Sequence, residues 1–404
     1  MITVFPAANL CEFKSIQLAV IFNPEYKMHI LVAPNAFKNS LSAEDAAEAI
    51  RQGLLDSGFP CSIQCFPIGD GGDGTASLIV KQINGHFENV QATDPMGKKI
   101  DCRIGFSADL QTAVIEMADI SGLKLLQQNE PDPLHATSFG TGELIRKALD
   151  KGTRKIILGI GGSATVDGGC GALQALGIRF LDKSKNVING LPENLVHLDS
   201  IDVSGMDKRI EQTELIVLCD VNNFLLGDTG AAAVFGPQKG ASPEDVVKLE
   251  KSLTRLREVS FRQTGKDMNA IRHGGAAGGI AAGLQIFLGA NLAQGIEYFL
   301  DITGFDKELE NTSLLITGEG SIDLQTLEGK GPYGVAVRAK KKNIPVIGLA
   351  GRVPSEPDET LDYYFDMLME IGRTGEDLRT AMLHTEENLR RTAAQLGKML
   401  TIWT

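Results

Sequence analysis

The sequence predicts an α/β protein with largely parallel strands. Three observations lead there. Short apolar runs alternate with stretches of helical period from residue 28 to the C-terminus. Several of those runs empty straight into glycine-rich turns, as in IGDGGDGT, ILGIGGSA and LLITGEGS. At 404 residues, the chain is also too long for one ordinary core.

The elements follow in order. His29–Ala33 reads as a strand, residues 34–40 as a loop and Ser42–Leu55 as a helix, with Ser42 and Asp45 in capping-box register. Ser62–Ile68 is a second strand running into GDGGDGT; a helix over Ala76–Ile83 and β-rich segments through Val114–Met117 come next. Glu143–Leu149 reads as helix, Lys155–Ile160 and Glu214–Cys219 as strands, and Pro243 to Phe261 as a charged amphipathic helix. HGGAAGGIAAGL is a glycine-rich turn entering a helix. Leu314–Thr317 and Pro345–Leu349 are strands, separated by a helix through Val335–Lys341. A closing helix over Glu376–Leu400 carries Leu378, Met382, Leu389, Ala393, Leu396 and Leu400 near a 3.6 period. Simple βα units at both ends predict a discontinuous Rossmann-like domain of residues 28–75 and 290–404, with an α/β domain of residues 76–289 inserted.

Residues 1–27 lie before the first strong strand and are expected to stand outside this fold. They lack the basic start of a signal peptide, and no apolar run reaches the roughly 18–20 residues of a membrane span. A net charge of −12 argues against nucleic acid or an anionic membrane as the main partner, though local lysines can still hold a small anion. Six cysteines without C-x-x-C spacing point to reduced thiols in the cytoplasm, and six scattered histidines make no zinc pattern. The 45 glycines cluster after apolar runs, which suggests ligand-facing turns rather than a linker.

The motif with most chemistry is LLITGEGSIDLQTLEGKGPYGVA, Leu314 to Ala336. A strand that ends in glycines leaves backbone N–H groups facing outward, and the next helix adds its positive dipole end. Glu319 and Asp323 would repel a bare phosphate, so a divalent cation or a proton-bearing nucleophile makes sense between them; Lys330 adds a positive charge. The same stretch also reads as a glycine-rich loop with solvated charges. GDGGDGT sets Asp70 and Asp73 three residues apart in a tight turn, either for magnesium or substrate hydroxyl, or as an Asp-Gly cap on the helix from Thr75.

GIGGSATVDGG satisfies G-x-G-x-x-[GA], with Asp182 about twenty residues on, which is the pattern of a dinucleotide site and an NAD-dependent oxidoreductase. GDGGDG satisfies the pattern too, and Val166–Gly169 interrupts the expected helix start, so Asp167 reads instead as another carboxylate aimed into a cleft. Lys38 is a candidate for a substrate carboxylate or phosphate. Thr137, Ser138 and Thr141 offer hydroxyls at a helix start, where simple N-capping is the alternative. No Walker A sequence or protein-kinase signature is present, and a periplasmic-type binding protein would need an export signal.

Together the loops resemble one family, the bacterial type-I glycerate kinases. The likeness rests on eight ordered elements: VAPNAFKNSLSA, GDGGDGT, TSFGTGELI, GIGGSATVDGG, CDV, VFGPQKGA, GGAAGG and LLITGEGSIDLQTLEGKGPYGVA. After CDV, Asn223-Phe224-Leu225 stands where the family tends to have Asn-Pro-Leu. The resemblance implies ATP-dependent phosphorylation of D-glycerate with Mg2+, a 2-phosphoglycerate product in preference to 3-phosphoglycerate, and an active site in a cleft between two domains. It leaves a homo-oligomer open.

On this reading Asp70, Asp73, Glu319, Asp323, Lys330 and Asp167 are the catalytic candidates, and Asp73, Glu319 and Asp323 the metal candidates. Lys38, Asp220 and Thr141 are assigned to glycerate. Gly161, Gly162, Ser163, Thr165, Gly275, Gly278, Gly318 and Gly320 are assigned to the nucleotide. A helix N-terminus contributes only about 0.3–1 kcal/mol toward an exposed anion, so metal and lysine charge must supply the rest for a triphosphate.

Overall fold

The computed structural model describes residues 28–127, 131–373 and 375–403. The expected N-terminal extension lies outside them. Thirteen strands run in chain order among the described residues. The first six are β1 (Met28–Val32), β2 (Cys61–Cys65), β3 (His86–Thr93), β4 (Lys99–Phe106), β5 (Thr112–Glu116) and β6 (Lys155–Gly159). Then come β7 (Arg179–Leu181), β8 (Ser200–Asp202), β9 (Glu214–Cys219), β10 (Asn291–Gln294), β11 (Leu314–Ser321), β12 (Val346–Arg352) and β13 (Met367–Glu370).

The chain forms two compact units. The first takes in the described part of Met1–Pro67 together with Phe305–Leu327 and Pro332–Thr404. Its five-stranded sheet, ordered β13-β12-β11-β1-β2, is parallel throughout, as expected for a Rossmann-like domain built from both chain ends. β1 lies between β11 and β2 with Ile30, Leu31 and Val32 fully buried, the near-continuous apolar run that a two-sided parallel sheet requires. From β1 the chain moves outward to β2, and from β11 it moves the other way through β12 to β13. The β1/β11 boundary is therefore a topological switch point, where the loops after the two strands diverge and leave room for a ligand.

Ser42 caps the helix Ala43–Asp56 by accepting the Asp45 N–H at 3.1 Å. Its buried Ala46, Ala47, Ile50 and Leu54 share one core with Leu389, Ala393, Leu396 and Leu400 of the C-terminal helix. That last helix departs from expectation. It does not run unbroken from Glu376: a short helix, Leu378–Leu383, ends at His384, and a separate helix covers Thr385–Trp403. Asp377 caps the short piece, and the Thr385 hydroxyl turns back on the Met382 carbonyl at 3.1 Å. Leu378, expected on the buried stripe, is 74% exposed.

The second unit comprises Ile68–Gly304 and Glu328–Gly331. It holds a six-stranded sheet, β10-β9-β6-β5-β4-β3, parallel from β10 to β5 and antiparallel beyond, plus the two-stranded pair β7-β8. The helix Pro243–Thr264 opens with a full capping box between Ser242 and Asp245. No helix among the described residues is long and apolar enough to cross a membrane.

Candidate active site

Most of the glycine-rich motifs fall in the second unit, and there they meet at the ends of β5, β6 and β9. The Gly161 N–H donates to the Gly71 carbonyl at 3.1 Å, and a Cβ on Gly161 would stand 2.7 Å from Gly72 Cα. Only glycine lets the GDGGDG and GIGGSA loops approach so closely. Gly162 is exposed, and Asp73 Oδ1 lies 3.4 Å from the position its Cβ would take. The loop is pinned by Leu123 N–H to Gly162 O and Ala164 N–H to Ser121 O, both 2.9 Å. Behind it, a Cβ on Gly278 would fall on the Thr165 carbonyl, and the Gly168 N–H donates to Gly278 O at 2.9 Å. Gly275 donates to Asn223 O at 2.9 Å, tying GGAAGG to the segment that follows Asp220. Asp220, directly after β9, is half-buried. The segment carrying Lys330 groups with this unit: Asn222 Nδ2 reaches Glu328 O at 3.5 Å and Gln294 Nε2 reaches Gly329 O at 3.4 Å.

The two carboxylates of GDGGDGT differ in setting. Asp70 is buried, with Oδ1 accepting the Gly72 N–H at 3.3 Å. Asp73 has 58% of its side chain exposed and receives Lys124 Nζ at 3.2 Å. Lys124 also meets Asp119 at 2.7 Å. Desolvation works against the Lys124 charge, but the Asp119 hydrogen bond and nearby carboxylates leave its pKa raised. Glu116, at the end of β5, accepts the N–H groups of Gly74 at 2.7 Å and Ala76 at 3.3 Å, so it caps the helix Thr75–Gln82. Burial, then the Asp119 charge, push the Glu116 carboxyl up to about 7 against the Gly74 hydrogen bond.

Glu116, Asp119, Lys124 and Lys239 form no part of the motif reading given above, although Lys239 lies inside VFGPQKGA. It is buried and donates to Ser163 Oγ at 2.7 Å and Thr165 O at 2.8 Å. A charged residue closing an apolar strand, as Glu116 does after TAVI, was the available signal.

Three sequence expectations are corrected. Asp167 does not face open space. It is fully buried and accepts Ser138 N–H at 2.9 Å, Ser138 Oγ at 2.7 Å, Gly169 N–H at 3.0 Å and Gly171 N–H at 3.1 Å, so it braces the loop from beneath. Thr141 is likewise fully buried, its hydroxyl donated to Ser121 Oγ at 2.9 Å. Asp182 does not support a dinucleotide site, because β7 pairs with β8 in a separate antiparallel ribbon instead of lying beside β6. Its carboxylate closes a turn by accepting the Asn186 N–H at 2.9 Å.

The first unit gathers its own candidates at the β1/β11 switch point. The Asn35 N–H donates to Gly318 O at 2.8 Å, which brings the Lys38 loop beside the end of β11; Lys38 itself is exposed. Glu319 is buried and accepts Thr326 Oγ1 at 3.0 Å. Asp323 accepts Ser321 Oγ at 3.0 Å and the Gln325 N–H at 2.9 Å. Gly320 is exposed at the strand end. Among the described residues no group of three or more His, Cys, Asp or Glu could hold a metal ion on its own.

This arrangement suits an enzyme that handles an anionic, phosphorylated substrate, with glycine-lined backbone beside carboxylates and a lysine. Comparison with known proteins agrees. Residues 30–401 match the model of the glycerate kinase family. The chain is 42% identical to a glycerate kinase of Bacillus subtilis (strain 168), over 93% of this chain and 98% of that one. It is 41% identical to a glycerate 2-kinase of Escherichia coli (strain K12), over 93% and 98%. A crystal structure described as glycerate kinase 2 from Salmonella typhimurium LT2 superposes with a TM-score of 0.78 at 43% identity, covering 93% of this chain and 99% of that one. The chain belongs to the glycerate kinase family and is a kinase that transfers phosphate to an alcohol group.

Proposed function

We propose that this protein transfers the γ-phosphoryl group of ATP to D-glycerate and releases 2-phosphoglycerate. The observation that carries the reading is the close stacking of the Gly161–Gly162 turn on the Gly71–Asp73 turn, with the Asp73–Lys124 pair at its edge. Backbone N–H groups, a carboxylate and an ammonium are thereby brought close together, which is what a reaction dominated by positioning and charge stabilisation needs. The 41% identity to a protein named glycerate 2-kinase supports the C2 assignment.

In the reaction the glycerate oxygen forms a bond to the γ-phosphorus as the bond to the bridging oxygen of ADP breaks. The hydroxyl proton passes to a carboxylate base or to water. Asp73, exposed and beside a cation, suits contact with substrate or metal; Asp70, buried and tied to Gly72, suits shaping the loop. In the other unit Lys38 is assigned to the glycerate carboxylate and Glu319 and Asp323 to metal or base. Magnesium keeps several waters and uses only one or two protein carboxylates besides phosphate oxygens, so Glu319 and Asp323 would be chemically fitting donors, and the ion would neutralise charge on the transferring group.

Phosphorus NMR of the product from ATP and D-glycerate tests this directly. A 2-phosphoglycerate resonance growing with ADP is expected, with turnover lost on chelation and restored by magnesium. No glycerate-dependent ADP overturns the activity, and a 3-phosphoglycerate resonance overturns the position.

A further inference from the structure

Lys239 is 2% exposed, yet an ammonium is expensive to bury without acceptors. It lies directly behind the Gly161–Thr165 loop. Its Nζ donates to Ser163 Oγ at 2.7 Å and to Thr165 O at 2.8 Å, so the two bonds fall on either side of Ala164. The opposite edge of the loop is fixed by Ser121 and Leu123, through Ala164 N–H to Ser121 O and Leu123 N–H to Gly162 O. Between these two supports, the N–H groups of Gly162 and Ser163 have no acceptor among the described residues. The buried Thr165 Oγ1 also has no hydrogen-bond partner among them. Burial pushes the Lys239 ammonium down to about 7, with Asp167 working in the opposite direction. A side chain needed only for packing would not carry that penalty, since an apolar residue fills the space without it.

We propose that Lys239 is a positioning residue, which holds the Gly161–Thr165 loop in the shape that presents its unpaired N–H groups to the nucleotide phosphates. This rests on the reading of the protein as an ATP-dependent kinase. Lys239 acts through Ser163 and Thr165, because both hydrogen bonds of its Nζ go to the loop. Removing it therefore weakens nucleotide handling selectively, leaving glycerate handling nearly intact.

The test compares parent and Lys239→Ala in steady-state kinetics with ATP and glycerate varied separately, in the presence and absence of n-propylammonium chloride. Melting curves are recorded for both proteins. The expected result is a KM for ATP raised by about tenfold or more with the KM for glycerate within roughly threefold, and recovery of at least about threefold in kcat/KM for ATP with the amine but not with sodium chloride. Equal rises in the two KM values, an ATP KM within roughly threefold of the parent, or no recovery with the amine overturns the proposal. Where Lys239→Ala does not fold, Lys239→Gln, which keeps a donor without the charge, is held to the same two-KM criterion. A parent that releases no ADP with glycerate defeats the kinase reading instead. A parent that turns over beside a variant with unaltered ATP kinetics defeats only the role of Lys239.

Discussion

Lys124 Nζ stands between two carboxylates, 3.2 Å from Asp73 Oδ1 and 2.7 Å from Asp119 Oδ1. Arg103 approaches the other oxygen of Asp119 at 3.5 Å, so Asp119 is shared between two cations and Lys124 is the one that reaches Asp73. Lys124 follows Leu123, whose N–H is bonded to Gly162 O. The cation beside Asp73 is thus anchored to the same backbone that carries the proposed phosphate loop.

Replacing Lys124 with Met should therefore lower activity far more than stability. The pair is nearly half exposed, and exposed ion pairs contribute only about 0–1 kcal/mol. We expect kcat/KM to fall by about tenfold or more while the melting temperature barely moves, with Lys124→Arg recovering part of the loss. Steady-state kinetics beside a melting curve for each variant checks both halves.

Glu116 makes a pH prediction with a definite sign. Burial raises its folded pKa to about 7 from the ordinary 4.5 of a glutamate, so the folded state holds the proton more tightly than the unfolded chain. The contribution is fully present below about pH 4.5 and is lost as pH rises through about 7, amounting to roughly 3 kcal/mol at most. Urea unfolding followed from pH 5 to 8 should show a downward component that Glu116→Gln removes.

Two glycines in these loops separate space from conformation. A Cβ at Gly161 would press on the backbone of Gly71 and Gly72, which has nowhere to go, whereas Gly74 has nothing within 4 Å but sits at φ 88. Gly74→Ala is expected to cost about 1–2 kcal/mol of stability through left-handed strain. Gly161→Ala should spread the two loops apart and reduce kcat/KM by about tenfold or more in protein that still folds. Comparable kinetics for the two variants would refute the close approach as the reason for Gly161.

The strands were legible because an apolar run of about five residues closed by glycine or aspartate has few other uses in a chain of this composition. Glu214–Cys219 was read to the residue. What stayed hidden depends on distant partners. Asp167 looks like an open-site carboxylate until Ser138, 29 residues earlier, supplies its donors. The partners of Glu116, Lys124 and Lys239 lie 42, 51 and 76 residues away. The Asp182 pattern was misleading because spacing along the chain cannot tell a strand that joins the sheet of β6 from one that pairs with β8.

The break at His384 gives the last prediction, drawn between two leucines that sequence period alone makes equivalent. Leu378 and Leu389 both fit the apolar stripe of one continuous helix. In the fold Leu389 is fully buried among Ile50, Leu54 and Leu396, while Leu378 is 74% exposed on the short preceding helix. Leu389→Ala should destabilise by about 2–5 kcal/mol, the transfer loss plus the cavity left behind. Leu378→Ala should stay within about 0.5 kcal/mol of the parent, as for an ordinary surface change. Urea unfolding of the two variants measures the difference, and equal destabilisation would mean that the helix runs unbroken through His384.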